Sequence, residues 1–181
     1  MAETPIIETD RLILRGFRLS DTDAFCEMMA DDEIARFVTV EGRGQDRQTA
    51  WRSMAMVVGC WTLRGHSMFA VEEKATGAFV GRVGPWQPEG WPGLECGWTI
   101  ARPHWGKGYA PEAAIAAIRW IFQTYPDLPR IISLIDPLNT NSHAVAQKVG
   151  EAPTDEIFEL WGKRLVIWAA DRNAWLERFG G

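Results

Sequence analysis

One short segment of the chain has residue types and spacing that could bind an anion: Trp105-Gly106-Lys107-Gly108-Tyr109-Ala110. Its two glycines let the backbone turn tightly and approach a ligand closely, because no Cβ stands in the way. Pro111 and Glu112 follow, and an apolar helical repeat begins there, so the segment is expected to open a helix. A helix start carries about four unpaired N–H groups and roughly half a positive charge. The pattern therefore predicts a cradle for a phosphate or diphosphate.

Two better-known phosphate-binding patterns do not fit this segment. Lys107 lies between the glycines and no Gly-Lys-Ser/Thr follows, which excludes a Walker loop. The spacing also differs from the three-glycine fingerprint of dinucleotide-binding units. A glycine turn before a helix is common, so plain turn chemistry is the alternative to phosphate binding at this point.

Strand-like and helical patterns alternate on both sides of the cradle. Glu95–Ile100 carries β-branched and aromatic residues and predicts a strand leading into it. Ala114, Ile118, Ile121 and Phe122 then repeat at helical spacing. In chain order we expect a strand, two helices, antiparallel strands, the helix after the cradle, a strand, a helix, a hairpin and a tail helix. This order predicts one domain over residues 1–181, of the mixed α/β (α+β) class, with a mostly antiparallel sheet of about seven strands.

Tryptophans suggest where a second ligand would lie. Trp86 and Trp91 belong to a Pro/Gly-rich loop, where aromatic side chains often line a pocket or an interface. A longer helix is predicted from about Asp46 to Leu63, and we expect it to help shape that pocket. Its predicted apolar face consists of Trp51, Met54, Ala55, Val58 and Trp61.

Composition excludes several classes of protein. The formal net charge is −5, which does not favour binding to nucleic acid or to anionic membranes. No apolar run is long enough to span a membrane, and the N-terminus lacks the features of a secretion signal. The three cysteines are isolated and the three histidines are scattered, so neither a disulfide frame nor a metal site is expected. A cytoplasmic protein fits these features best.

Four features in a fixed order resemble a known family. They are Thr9-Asp10-Arg11-Leu12-Ile13-Leu14-Arg15, the cradle, Glu112-Ala113 directly after it, and Asn139-Thr140-Asn141-Ser142 with Lys148-Val149-Gly150. Together they are similar to GNAT N-acetyltransferases, and among these to the ribosomal-protein alanine acetyltransferases (the RimJ/RimL-like branch). The similarity covers nearly the whole chain, and the ordered set is more specific than the cradle alone.

The resemblance implies that acetyl-CoA is the cosubstrate and that no metal takes part. Main-chain groups from Trp105 through Ala110 would then bind its diphosphate. Backbone groups of Trp98, Thr99 and Ile100 would bind the pantetheine arm and the acetyl carbonyl. The following strand would separate from this one near residues 132–134 and leave the thioester in the gap. Lys107 and Arg102 are candidates to meet cofactor phosphates, although solvated surface charge explains them equally well.

The reaction implied is attack of an amine on the thioester. An alkyl amine has a pKa near ~10, so a group must accept its proton. Glu95 is the candidate base, against the alternative of a carboxylate at a sheet edge. Many family members use a tyrosine to protonate the departing thiolate, but Tyr109 and Tyr125 lie outside the expected region. Ser142 is the candidate substitute.

Two further positions near the site have an open interpretation. Asn139 would position the pantetheine, although it is also a good helix N-cap. Glu151 stands where the family usually has an aromatic residue, which leaves the acceptor side open.

Other functions remain open on the sequence. The acceptor is a protein N-terminus or a small amine, with Trp86 and Trp91 shaping its pocket. A CoA-binding sensor or interaction module without catalysis would need the cradle but no base. A nucleotide-binding protein of another fold is disfavoured by the antiparallel strand order. The resemblance also allows a homodimer, formed through the final hairpin or the tryptophan-rich loops.

Overall fold

Residues 4–180 are described by the computed structural model of this protein, and they form one sheet with helices packed against it. The strands are β1 (Ile7–Glu8), β2 (Leu12–Arg15), β3 (Phe69–Glu73), β4 (Ala78–Trp86), β5 (Glu95–Ile100), β6 (Arg130–Ile135), β7 (Ala152–Leu160) and β8 (Lys163–Asp171). The helices are α1 (Thr22–Ala30), α2 (Asp32–Val38), α3 (Arg47–Arg64), α4 (Tyr109–Thr124), α5 (Thr140–Lys148) and α6 (Arg172–Phe179). Short 3-10 turns span Leu19–Asp21 and Arg102–His104.

The eight strands lie in the order β1-β2-β3-β4-β5-β6-β8-β7, and every neighbouring pair is antiparallel except β5 and β6. The predicted α/β class with a mostly antiparallel sheet is confirmed. The strand beyond the expected seven is the two-residue β1, which is too short to show a hydrophobic period. No helix within residues 4–180 is long and apolar enough to cross a membrane.

The parallel pair β5 and β6 separates almost as soon as it forms. Glu95 pairs with Ile132, and this is the single position of register between the two strands. Beyond this pair, side chains form hydrogen bonds with backbone groups that would have bonded to each other if the two strands had stayed paired. The Glu95 carboxylate accepts the Leu134 N–H at 3.3 Å, and Ser133 Oγ lies 2.9 Å from the Cys96 carbonyl oxygen. The predicted separation near residues 132–134 is therefore present.

Helix α4 fixes the cradle against the sheet. Its residues Ala114, Ile118 and Ile121 are fully buried, as the helical spacing predicted, and they share a core with Leu12 and Val83 of the sheet. Burying one such side chain stabilises a fold by about 1.5–3 kcal/mol, so the position of the helix start is strongly determined.

The predicted apolar face of α3 was wrong in part, although Met54 is buried and Trp61 packs against the core as predicted. The structure buries Ala50, Met54 and Val57, whereas Trp51 is 50% exposed and Val58 is 45% exposed. The predicted face and the buried face both repeat at helical spacing. The large side chains of Trp51 and Val58 favoured the predicted face, which the structure leaves largely exposed at these two residues.

Candidate active site

The cradle forms a loop of unbonded N–H groups at the start of α4. Gly106 and Gly108 have φ angles of 76° and 79°, a left-handed conformation that other residues rarely adopt. Among residues 4–180, the backbone N–H groups of residues 106–110 donate to no other group. With two left-handed residues, the loop resembles the concave backbone turns that bind anions.

The backbone N–H of Trp105 does not belong to the donors of the cradle, although it was expected to. Its N–H donates to the Arg102 carbonyl at 3.1 Å, and its indole N–H donates to the Ile100 carbonyl at 2.6 Å. Trp105 therefore ties the cradle to the end of β5, and the backbone donors begin at Gly106. This corrects the expected range of donors.

The two basic side chains near the cradle have partners within the protein. Arg102 pairs with Asp31 at 2.7 Å, and Lys107 lies 3.9 Å from Glu73. Lys107 contributes an unbonded backbone N–H to the cradle, and its side chain is directed to this carboxylate.

A carboxylate on α4 holds the cradle from behind, a role that sequence reasoning missed. Glu112 accepts hydrogen bonds from the Thr9 hydroxyl at 2.6 Å and from Arg11 Nε at 2.7 Å. Arg11 Nη1 also donates to the Lys107 carbonyl at 2.8 Å. Thr9, Arg11 and Glu112 therefore form one set of contacts that orients the cradle. The tyrosine Tyr109 is buried and donates its hydroxyl to Glu73.

A cavity of about 460 Å³ runs from the cradle to the gap between β5 and β6. The predicted cofactor residues on its wall are Trp98, Thr99, Ile100, Trp105, Gly106, Gly108, Tyr109, Ala110, Asn139 and Ser142. Sequence reasoning missed the opposite wall, which α2 supplies through Ile34, Phe37 and Val38. The size suits an extended small molecule.

Backbone groups of β5 face this gap at alternate residues. Cys96 directs its carbonyl to β6, and alternation places the backbone groups of Trp98 and Ile100 on the same side. Thr99 pairs with Arg82 of β4, so its backbone groups point the other way and only its side chain lines the cavity. The Ile100 carbonyl is taken by Trp105. This leaves the Trp98 N–H, the Trp98 carbonyl and the Ile100 N–H directed at the gap.

A second cavity, of about 370 Å³, meets the first at the gap. The two share Phe37, Val38, Trp98, Thr99, Asn139 and Ser142. Trp86 and Trp91 line the second cavity, together with Trp161 from the β7–β8 hairpin. That this cavity receives the acceptor stays a prediction. Helix α3 contributes Ser53 and Met56, whereas Trp51 and Trp61 do not reach it. The two cavities thus enclose a continuous path past Trp98.

Glu95 lies on the wall of the second cavity. Its carboxylate is buried and accepts a hydrogen bond from the Trp91 indole N–H at 2.6 Å. Burial raises the pKa of Glu95 from 4.5 to about 7, against the opposing effects of Trp91, the Leu134 N–H and the charge of Arg82. A carboxyl group with this pKa exchanges protons readily near neutral pH. The alternative of a solvated edge carboxylate is therefore wrong.

Ser142 and Asn139 sit where the two cavities meet. The Asn139 side chain accepts the Ser142 N–H at 3.1 Å and caps α5, so the capping interpretation holds. The Ser142 hydroxyl oxygen accepts the Trp98 indole N–H at 3.2 Å. Because the indole N–H is a donor only, the hydroxyl hydrogen of Ser142 stays available for a further acceptor.

Glu151 lies behind the gap rather than on the acceptor side. It is 3% exposed, its Oε1 is 3.0 Å from Ser133 Oγ, and burial raises its pKa well above the usual range. Ser133 Oγ also approaches the Cys96 carbonyl, yet a hydroxyl has one hydrogen. A protonated Glu151 supplies the second hydrogen that this arrangement needs.

A family model for the acetyltransferase (GNAT) domain matches residues 11–151. This chain belongs to the GNAT acetyltransferase family. Bacillus subtilis (strain 168) protein YkkB is 38% identical to it over 176 residues, which span 92% of this chain and 95% of YkkB.

Several solved structures share the fold. The acetyltransferase from Agrobacterium tumefaciens str. C58 has a TM-score of 0.80 at 28% identity, covering 94% of this chain and 96% of that chain. RimJ of Mycobacterium smegmatis, solved in complex with CoA-disulfide, has a TM-score of 0.69 at 21% identity, covering 94% and 88%. At that identity the likeness to RimJ is one of fold.

Sequence reasoning about this GNAT domain missed one charged group in the second cavity. Arg82 lies on β4, on the same face as Gly84 and Trp86, and its side chain lines the cavity. The sequence signal for Arg82 was its position in β4, where residues alternate between the two faces of the sheet and the other face is apolar. A single basic residue in such a strand is usually solvated, and therefore it was not singled out.

Proposed function

We propose that this GNAT acetyltransferase transfers the acetyl group of acetyl-CoA to a primary amine by direct attack on the thioester. The observation that carries the proposal is that two cavities meet at Trp98 and Thr99, where β5 and β6 have separated, with Glu95 on the wall of the second cavity. One cavity leads to the cradle and the other leads to solvent past three tryptophans. A donor and an acceptor can thus reach one point from opposite sides.

The donor cavity suits a CoA thioester. The unbonded N–H groups of residues 106–110 would receive the diphosphate, since helix starts stabilise negative charge. The pantetheine arm would then follow β5 and bond to the backbone groups of Trp98. The RimJ fold relative was solved with a CoA disulfide, which agrees with this use of the fold.

Glu95 would act as the base. The acceptor amine is mostly protonated at neutral pH and cannot attack until it loses a proton. A carboxylate with a pKa of about 7 can accept that proton, directly or through a water molecule, while half of the enzyme is in the ionised form.

The remaining charges of the reaction also have candidate partners. As the amine attacks, the thioester oxygen gains negative charge, and the Trp98 and Ile100 N–H groups directed at the gap would stabilise it. When the tetrahedral intermediate collapses, the C–S bond breaks, the sulfur leaves with the electron pair, and the extra proton on the attacking nitrogen would pass through water to the thiolate. The Ser142 hydroxyl would donate a hydrogen bond to this sulfur, because its oxygen is already held by Trp98.

An amine panel with a direct readout of CoA release tests the proposal. Peptides with free N-termini and small primary amines are each incubated with acetyl-CoA and the protein. We expect CoA release that depends on the amine, and at least ~10-fold slower turnover in Glu95→Gln. Tight acetyl-CoA binding without turnover on any amine would instead support the sensor alternative.

A further inference from the structure

The protein buries two arginines in very different ways. Arg15 is 4% exposed and fully paired, with Nη1 and Nη2 at 2.8 and 2.9 Å from the two oxygens of Asp21. Its Nε donates to Glu72 at 2.7 Å. These hydrogen bonds raise the pKa of Arg15 against the effect of burial. Arg15 is therefore a structural ion pair whose partners the chain itself supplies.

Arg82 is buried without such a partner. It is 8% exposed, yet no carboxylate within residues 4–180 forms a salt bridge with it, and its Nε has no hydrogen-bond acceptor there. Its guanidinium carbon lies 5.7 Å from the centroid of the Phe25 ring. Burial lowers the pKa of Arg82 to about 10, so the group is still charged at neutral pH. An unpaired buried charge is costly, and a ligand anion would remove that cost.

The strand register puts Arg82 and Glu95 on the same face. Arg82 lies opposite Thr99, Trp86 lies opposite Glu95, and Gly84 and Gly97 form the pair between them. Arg82 and Trp86 are four residues apart, roughly 13 Å along the strand. The two glycines between them carry no side chain, and the Met68 methyl group and the Phe69 ring occupy the space beside Gly97 and Gly84. The charges of Arg82 and Glu95 attract one another, but they do not touch.

We propose that the acceptor is a small amine that also carries a carboxylate, held by the Arg82 guanidinium while its amine faces the thioester beside Glu95. The inference rests on the proposed N-acetyltransferase function and names its substrate class. A guanidinium binds a carboxylate through two parallel hydrogen bonds, which fixes orientation as well as position. The N-terminal residue of a peptide has its α-carboxyl group in an amide bond and so lacks the free α-carboxylate that this arrangement would bind.

The walls of the cavity indicate the rest of the molecule. Trp86, Trp91 and Trp161 enclose it together with Met56, and the Met68 methyl group lies over Gly97. Such walls favour an aromatic or branched apolar body, and about 370 Å³ is room for a single amino acid of that kind. The structure thus points to an apolar amino acid rather than a polyamine or an amino sugar.

Matched acceptor pairs test the role of the carboxylate. Phenylalanine is compared with phenethylamine, and leucine with isoamylamine, so that each pair differs by the carboxylate alone. We expect wild type to prefer the carboxylated member in kcat/KM. In Arg82→Met this preference should fall by about 10- to 100-fold, the usual scale for a charge-assisted pair. Lys163→Met is the control, because Lys163 lines the same cavity but its Nζ donates to the Arg36 carbonyl at 3.0 Å.

Stability provides a second readout. Because Arg82 is unpaired, Arg82→Met without acceptor should have a higher Tm than wild type, whereas a structural arginine would lower Tm on removal. Acetyl-CoA binding is measured by calorimetry in both proteins to check the donor site.

Each outcome separates this inference from the proposed function. Turnover of amines or peptides with no preference for a carboxylate would overturn the inference and leave N-acetyltransfer intact. A preference that falls equally in Lys163→Met and Arg82→Met would overturn the role of Arg82. Failure of every amine, with acetyl-CoA still bound, would overturn both.

Discussion

Replacing Trp91 by phenylalanine should move the acid limb of the pH–rate profile to higher pH. The indole N–H of Trp91 donates to Glu95 Oε2 at 2.6 Å and stabilises the ionised carboxylate. Phenylalanine removes this donor but keeps an aromatic ring beside Phe158 and Trp161, whose ring centroids lie 6.2 and 6.5 Å from that of Trp91. The substitution therefore changes the hydrogen bond more than the packing.

The size of the shift follows from the strength of the bond. A hydrogen bond to a charged group contributes about 1.5–3 kcal/mol, and a neutral carboxyl group retains part of it. The difference between the two forms is about 1–1.5 kcal/mol, and one pKa unit corresponds to about 1.4 kcal/mol. We therefore expect the pKa of Glu95 to rise by about one unit from its value of about 7.

The assay is kcat/KM against pH, measured by CoA release with one amine for all variants so that the titration of the amine cancels. Activity should fall about tenfold per pH unit below the pKa of the base. Trp91→Phe should be about tenfold slower than wild type on the acid limb and similar to it at alkaline pH.

Trp86→Phe is the matched control, because Trp86 lines the same cavity and lies opposite Glu95 in the sheet. Its side chain donates no hydrogen bond to Glu95, so its acid limb should stay in place. If the acid limb of Trp91→Phe also stays in place, the hydrogen bond from Trp91 does not control the pKa of Glu95, and the reasoning is refuted. A limb that persists in Glu95→Gln would remove Glu95 as the base.

Two further predictions concern the cradle and the buried carboxyl groups. Gly106→Ala should weaken acetyl-CoA binding by about tenfold, because a side chain in the left-handed region costs about 1–2 kcal/mol. Gly65→Ala is the control: Gly65 lies at the end of α3 with a φ of 72°, so alanine there carries the same strain. It should leave the calorimetric Kd for acetyl-CoA unchanged. Glu151 has a raised pKa when folded, so it keeps its proton while the unfolded chain ionises above its ordinary value of 4.5. Its stability contribution is therefore present at low pH and lost as pH rises. In urea titrations, wild type should lose up to about 1.4 kcal/mol per pH unit relative to Glu151→Gln as the pH rises above the ordinary value of 4.5. Parallel curves would show that Glu151 is ionised in the fold.

The order of elements could be predicted because each has a strong local period. The stripe from Ala114 to Phe122 identified α4 and the turn before it, and glycine spacing located the cradle. Prediction of the α3 face failed because Met54 and Trp61 fit two adjacent stripes, and burial of Ala50 rather than Trp51 is decided by tertiary packing.

The site was predictable where it depends on backbone and less so where it depends on contacts between distant segments. Glu95 and Ser142 emerged from the family resemblance, and the structure places Ser142 where the two cavities meet and Glu95 on the wall of the second cavity. The use of the Trp105 N–H within its own turn and the lack of an ion pair at Arg82 depend on groups that only the fold brings together. No local pattern in the sequence records them.

The most direct test of the whole account is calorimetry with acetyl-CoA and with S-acetylpantetheine, which lacks the diphosphate together with the adenosine 3′-phosphate. The account predicts one molecule of acetyl-CoA bound per chain, and binding of S-acetylpantetheine weaker by at least ~100-fold, because the diphosphate is held by the N–H groups of residues 106–110. Equal affinity for the two thioesters, or no uptake of acetyl-CoA by folded protein, would contradict it.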